Sequence, residues 1–221
     1  MTVQNEGVEI TKRTAGEHVL TSHEGVEIHY RGKPITDGLT QAGYVYLVID
    51  CSGSMEGNKI KQAKKGALNF AKEALAKGYS TGLIQFHSFP THLCEPQKDI
   101  SKLEVCLSKL VTGDLTYMAD AIHLAIQQLK NRKGTRIIVV VTDGMPNGDG
   151  DPQATLKAGQ DAKNNGVDII VIGTDDADKG FLGKLASRAG MGLKVVSSQF
   201  EKAITDSAKM LPQGSRTVDT G

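Results

Sequence analysis

Hydrophobic positions along this chain change period several times, and each change marks an element. Val45–Ile49 is a short unbroken apolar run that closes in Asp50, Cys51, Ser52, Gly53 and Ser54. A run of that kind reads as a buried strand emerging into a loop. Next, Ile60, Ala63, Ala67, Phe70, Ala71 and Ala74 recur at helical spacing, with Asn58 placed to cap the helix and Gly78 to end it. Thr81–Phe86 predicts a strand and His92–Pro96 a short edge strand. Ile100, Leu103, Leu107 and Leu110 mark a second helix. The cleanest helical period belongs to Met118, Ala121, Ile122, Ala125, Ile126 and Leu129, closed by Gly134. Arg136–Val141 is RIIVVV, which suits a strand covered on both faces, and it ends in the polar loop Thr142-Asp143-Gly144. A weaker helix from Pro152 to Asn165 leads to a buried strand at Val167–Ile172. Phe181, Leu182, Leu185, Ala186 and Ala189 predict another helix, and Leu193–Val196 a last strand. Phe200, Ala203, Ile204 and Leu211 predict the last helix, stopped by Pro212.

Repeated strand–helix alternation predicts an α/β fold: a doubly wound, mainly parallel sheet with helices on both faces. Ligands in such sheets sit beyond the carboxyl ends of the strands, at a topological switch point. Two predicted strands end in acidic loops, at Asp50 and Asp143, and a third loop, Gly113–Thr116, precedes a helix. All three can reach the same edge of the sheet. Residues 1–42 are polar and broken by glycines. Val26, Ile28 and Tyr30 alternate with polar residues, and His18–Ser22 is placed as a hairpin partner across a turn near Gly25. This segment reads as a strand-rich extension packed on the main domain, its first dozen residues being either part of it or a disordered arm. GVEI occurs at Gly7–Ile10 and again at Gly25–Ile28, too short a match to establish a repeat. The division is thus 1–42 extension, 43–212 main domain and 213–221 flexible tail.

Composition narrows the function classes. Aromatics make up only 5% of the chain and Trp is absent, so the core is aliphatic and alanine-rich. With 26 basic and 25 acidic residues the net charge is +1, which argues against a broad nucleic-acid footprint. No apolar run approaches the ~18 residues of a membrane span. The first residues, MTVQNEGVEI, lack a basic region followed by an apolar one, so a cytoplasmic location is expected, with a removed signal peptide as the open alternative. Cys51, Cys94 and Cys106 show no CxxC spacing and favour a reduced compartment. Oligomeric state is not legible.

Asp50, Ser52 and Ser54 put one carboxylate and two hydroxyls at close quarters, the oxygen donors that hard divalent cations prefer. The plainer alternative makes the serines turn and cap residues and Asp50 an ordinary loop residue. Cys51 lies inside the motif, but no histidine adjoins it and a small buried residue is the simpler reading, as for the other two cysteines. Six histidines show no HxxxH or HExxH spacing, which argues against zinc, and His87 and His92 read as surface residues. Asn147–Pro152, NGDGDP, fails the EF-hand pattern and reads as a solvated turn beside the metal face. Asp175, Asp176 and Asp178 read as a capping cluster around Asp178. Lys61, Lys64, Lys65 and Lys72 read as a solvated helix face.

D-x-S-x-S at Asp50, Ser52 and Ser54, an isolated Thr116 before a helix, and T-D-G at Thr142–Gly144 together resemble the von Willebrand factor type A domain family. The similarity runs over about residues 43 to 212 in the family's order of strands and helices. It implies the Rossmann-like fold of that family and its metal ion-dependent adhesion site. On that resemblance Ser52, Ser54 and Thr116 supply hydroxyl oxygens, while Asp50 and Asp143 bind directly or through water. Mg²⁺ is the expected cation, with Mn²⁺ or Ca²⁺ as alternatives. One position is left for an Asp or Glu of a protein partner. The sequence departs from the family at Leu115, where glycine is common, and the preceding Asp114 is a candidate to compensate. The resemblance therefore implies a non-enzymatic, metal-dependent protein-binding module acting as an intracellular adaptor. The alternatives are a hydrolase or phosphotransfer-associated enzyme using the same cation, and a structural domain whose metal only staples loops. No P-loop, no dinucleotide-binding glycine motif and no GxSxG elbow supports the enzyme.

Overall fold

The computed structural model describes residues 2–5, 8–14, 17–22, 27–31, 43–147 and 152–212. It forms two units, 1–40 and 41–221. The first is a four-stranded antiparallel meander: β1 (Thr2–Asn5), β2 (Val8–Thr14), β3 (Glu17–Ser22) and β4 (Glu27–Arg31). β3 and β4 pair as the expected hairpin, with Leu20 opposite Ile28. Within the first dozen residues, 2–5 and 8–12 lie in strands, β1 pairing with β2 through Val3 and Ile10. The expected Gly25 turn, residues 148–151 of the NGDGDP segment and the tail 213–221 lie outside the described residues.

The second unit holds a six-stranded sheet in the order β10-β9-β8-β5-β6-β7. Its strands are β5 (Gly43–Asp50), β6 (Tyr79–Phe86), β7 (Pro90–Gln97), β8 (Arg136–Thr142), β9 (Asp168–Thr174) and β10 (Gly192–Val195). All pairings are parallel except β6 with β7. The helices are α1 (Asn58–Ala76), α2 (Ile100–Ser108), α3 (Met118–Leu129), α4 (Pro152–Asn164), α5 (Lys179–Leu185) and α6 (Phe200–Asp206). Three short 3-10 turns accompany them, at Gly53–Met55, Ser197–Gln199 and Ser207–Met210. Among the described residues no helix is long and apolar enough to cross a membrane.

Side chains of β5 alternate between two cores, as a strand's period of two requires. Val45, Leu47 and Ile49 join Val139 and Val141 beneath Phe70, Ala67 and Ile204 of α1 and α6. Tyr46 and Val48 join Ile138 and Val140 beneath Ile122, Ala158 and Leu182 of α3, α4 and α5. A strand buried on both faces has no polar positions to spare, which is why β5 and β8 read as unbroken apolar runs. β5 lies between β6 and β8. The chain leaves it first toward β6 and later returns to β8 on its other side, so the loops after β5 and β8 part at the switch point.

Element ends differ from expectation in a few places. Gly57, not Asn58, holds the cap position of α1, with φ at 82° and no side-chain cap bond. The chain leaves the 3-10 turn there with a backbone sign that glycine adopts without steric cost. β7 begins at Pro90, earlier than His92, because an edge strand tolerates a residue with no N–H to give. The last helix stops at Asp206 and continues only as the 3-10 turn to Met210. Gly66 lets α1 approach α6: a Cβ there would lie 2.8 Å from the Glu201 carbonyl and 2.9 Å from the Ile204 Cβ.

Gly66→Ala should therefore destabilise the domain. Alanine gains up to about 1 kcal/mol in helix propensity, but overpacking costs about 1–3 kcal/mol, and the rigid backbone carbonyl makes the second effect win. A net loss of about 1–2 kcal/mol in urea denaturation is expected. A gain in stability would show that the two helices separate freely.

Candidate metal centre

Asp50 is the last residue of β5 and is fully buried. Its Oδ1 accepts from the Ser52 N–H at 2.8 Å and its Oδ2 from the Thr142 hydroxyl at 2.6 Å. The Ser52 and Ser54 hydroxyls lie 3.1 Å apart, and Ser54 donates to Asp143 Oδ1 at 2.8 Å. Ser52 and Asp143 are buried while Ser54 is exposed, so this polar cluster reaches the surface.

Backbone and side-chain contacts tie the three loops together. Gly113 donates its N–H to the Cys51 carbonyl at 2.7 Å, and Ser52 and Gly113 form a parallel bridge. Thr116 is buried, and its N–H is held by Asn147 Oδ1 at 2.9 Å. Tyr117 donates its N–H to the His87 carbonyl at 2.9 Å, which anchors the same loop to the end of β6. Asn147 and His87 thus position Thr116 without being candidate ligands. His87 and His92 are half-buried, correcting their reading as surface residues. His92 Nε2 lies 3.0 Å from the Tyr46 hydroxyl.

Gly113, two positions before Leu115, bridges Ser52, and a Cβ there would lie 2.6 Å from the His87 ring. Asp114 is exposed. Asp178 caps α5 as expected, accepting from the Phe181 N–H at 2.7 Å. Asp175 behaves differently. Its carboxylate meets Lys59 Nζ at 3.1 Å and accepts from the Ser197 hydroxyl. Lys59, on the first turn of α1, also donates to Asp143 Oδ2. Neither contact is predicted from the sequence pattern. The available signal is a lysine in a helix's first turn, where the dipole favours an acid.

Burial dominates the electrostatics of Asp50. It pushes the carboxyl from its ordinary range up to about 6, against the lowering effect of the Thr142 and Ser52 hydrogen bonds, and neighbouring Asp143 adds to the rise. Burial likewise pushes the Cys51 thiol up to about 12, which makes it a poor nucleophile at neutral pH. Lys59 is pulled down by desolvation, but its bonds to Asp143 and Asp175 outweigh this and leave it above its ordinary value.

Residues 45–146 match the family model of the von Willebrand factor type A domain. Over that segment, a little under half of its length, the chain is similar to von Willebrand factor type A domains. Solved structures agree in fold. The vWF domain of the type V pili tip protein Mfa5 from Porphyromonas gingivalis superposes with a TM-score of 0.70 at 15% identity, covering 82% of this chain and 99% of that one. The SpRpn10 VWA domain gives 0.64 at 18% identity, covering 80% and 99%. Proximal thread matrix protein 1 from the mussel byssus, solved with a zinc-occupied adhesion motif, gives 0.66 at 17% identity, covering 81% of this chain but about half, 49%, of that one.

The donor chemistry at the switch point fits a hard divalent cation. Among the described residues no group of three or more His, Cys, Asp or Glu is placed to hold a metal ion; the donors gathered here are the Asp50 and Asp143 carboxylates and the Ser52 and Ser54 hydroxyls, oxygens of the hard kind. A buried carboxylate whose partners are an amide and a hydroxyl also lacks the positive charge that would offset its desolvation.

The pH response has a definite sign. With Asp50 raised to about 6, the folded chain holds a proton that the unfolded chain has already lost between about pH 4 and 6. In EDTA, wild type should gain stability as pH falls from 7 to 5, and Asp50→Asn should gain less. Thermal melts of both proteins across that range check this. Identical pH slopes would place the Asp50 carboxyl in its ordinary range.

Proposed function

We propose that this domain is a non-enzymatic, metal-dependent protein-binding module whose partner contributes an Asp or Glu side chain. Asp50, Ser52, Ser54, Thr116 and Asp143 would hold the cation, Mg²⁺ before Mn²⁺ or Ca²⁺. The hydroxyls would contact it directly, and the two carboxylates directly or through water. When bound, the cation supplies a Lewis-acidic position for a carboxylate oxygen.

One observation carries this reading: Asp50 is fully buried at the switch point, its two oxygens held by Ser52 and Thr142. Those bonds fix the carboxylate's orientation and hold the Ser52 loop against the end of β8. Ser54, exposed and bonded to Asp143, carries the same network to the surface. The similarity of residues 45–146 to von Willebrand factor type A domains supports an interaction module. Cys51, the candidate nucleophile in the motif, is buried with its thiol pushed up to about 12, which does not favour an enzyme. Thr116 rests on a loop tied by backbone bonds and by Asn147, an arrangement suited to holding a donor still.

A pull-down in Mg²⁺ or EDTA, with wild type and Asp50→Ala, tests the proposal. Partner capture should require Mg²⁺ and fall at least about tenfold in Asp50→Ala, a loss of about 1.4 kcal/mol or more. Mg²⁺ at a hundred times its dissociation constant should stabilise wild type by about 2.7 kcal/mol and leave Asp50→Ala unchanged. Equal capture in EDTA, or by Asp50→Ala, would refute metal-dependent binding.

A further inference from the structure

Lys59 is a basic side chain built into this cluster. Its Nζ donates to Asp143 Oδ2 and meets Asp175 Oδ2 at 3.1 Å. The side chain is 23% exposed and that of Asp143 only 1%, so water screens their meeting poorly. A lysine in a helix's first turn faces the positive end of the helix dipole, an unfavourable place unless carboxylates hold it there. Asp175 holds it. Its φ is 47°, the one positive value at a non-glycine among the described residues. The Ser197 hydroxyl donates to its Oδ1, and Thr174 Oγ1 lies 3.4 Å from the same oxygen.

We propose that Lys59, held by Asp175, is a specificity-determining residue of the cation site: a fixed positive charge that weakens the hold on a divalent cation and strengthens the hold on an acidic partner side chain. This deepens the function proposed above and rests on it. Asp143 has two oxygens: one accepts from Ser54 and the other from Lys59. The ammonium therefore offsets part of the charge that Asp143 can offer a cation. Less of the cation's charge is then neutralised by the protein, and more remains for an incoming carboxylate. Removing Lys59 leaves Asp143 and Asp175 unopposed, which favours the cation and repels the acidic partner. Neutralising Asp175 throws the whole lysine charge onto Asp143, with the opposite effect on the cation. A merely structural Lys59–Asp175 tie would instead weaken the cation in both variants.

Isothermal titration of the full chain with Mn²⁺ decides between these. Lys59→Met should bind Mn²⁺ about tenfold more tightly than wild type and Asp175→Asn about tenfold more weakly, as expected for one unit charge near the site at intermediate dielectric. Lys59→Arg should stay near wild type, since it keeps the charge. Acetate titrated into the Mn²⁺-loaded proteins, followed by water proton relaxation, should bind more weakly to Lys59→Met. Circular dichroism checks folding, and Lys59→Gln takes the place of Lys59→Met if that variant does not fold. Weaker Mn²⁺ binding in both Lys59→Met and Asp175→Asn overturns the inference, as does unchanged binding in Lys59→Met. Equal or tighter acetate binding by Lys59→Met also overturns it. A folded wild type that binds no Mn²⁺ sinks the cation reading itself, a different result from a bound cation indifferent to Lys59.

Discussion

The carboxylate of Asp50 is buried at the end of the middle strand, and the surrounding structure answers to that fact. A carboxylate taken from water costs several kcal/mol unless it is paired or hydrogen-bonded. Here one oxygen is met by the Ser52 amide and the other by the Thr142 hydroxyl, from the next strand over. These bonds lower its pKa, but desolvation outweighs them. The net effect is a local demand for positive charge at the point where the loops of β5 and β8 diverge. The parallel order of the sheet creates that point. β5 must be buried on both faces to stand between β6 and β8, and its first polar residue must appear where the strand ends.

Precision in the neighbouring loops comes from backbone contacts more than from side chains. The bridge between Ser52 and Gly113 and the amide of Gly113 on Cys51 lock two loops together. Asn147, after β8, adds a tie to Thr116 through its side-chain Oδ1 and its own N–H. The residue that must come close is Gly113, two positions before Leu115, against His87.

Legibility in the residues obeys the same physics. Central strands are plain because burial on both faces leaves an unbroken apolar run, as in Arg136–Val141. The prediction for β7 starts two residues late because a half-covered edge strand mixes polar residues with Pro90 and Pro96. β1 and β2 are hard to read because Lys12 and Arg13 interrupt any clean alternation. In the candidate site, Asp50, Ser52 and Ser54 share one motif and are legible together. Lys59 is separated from Asp143 by 84 positions and Asn147 from Thr116 by 31. No periodicity reports such pairs, because the strand order of the sheet creates them. A local conflict is visible all the same: a lysine at the positive end of a helix asks for an acid, and only the fold shows which one.

That conflict bears on how a cation site of the proposed composition would work. A cation held by many carboxylates would be bound tightly and would have little attraction left for another anion. A cation held by hydroxyls alone would be lost to water. This domain lies between the limits, with two acids in the predicted set and one of them shared with an ammonium group. Asp175 is the counterweight. It accepts a left-handed backbone conformation that costs of order 1–3 kcal/mol for a residue other than glycine. Hydrogen bonds from Ser197 and Thr174 and the ion pair with Lys59 converge on the same side chain and can offset that cost. Strain at Asp175 and a lysine at an unfavourable helix end are two local costs joined by one ion pair. Neither makes sense alone, and together they place a positive charge beside Asp143.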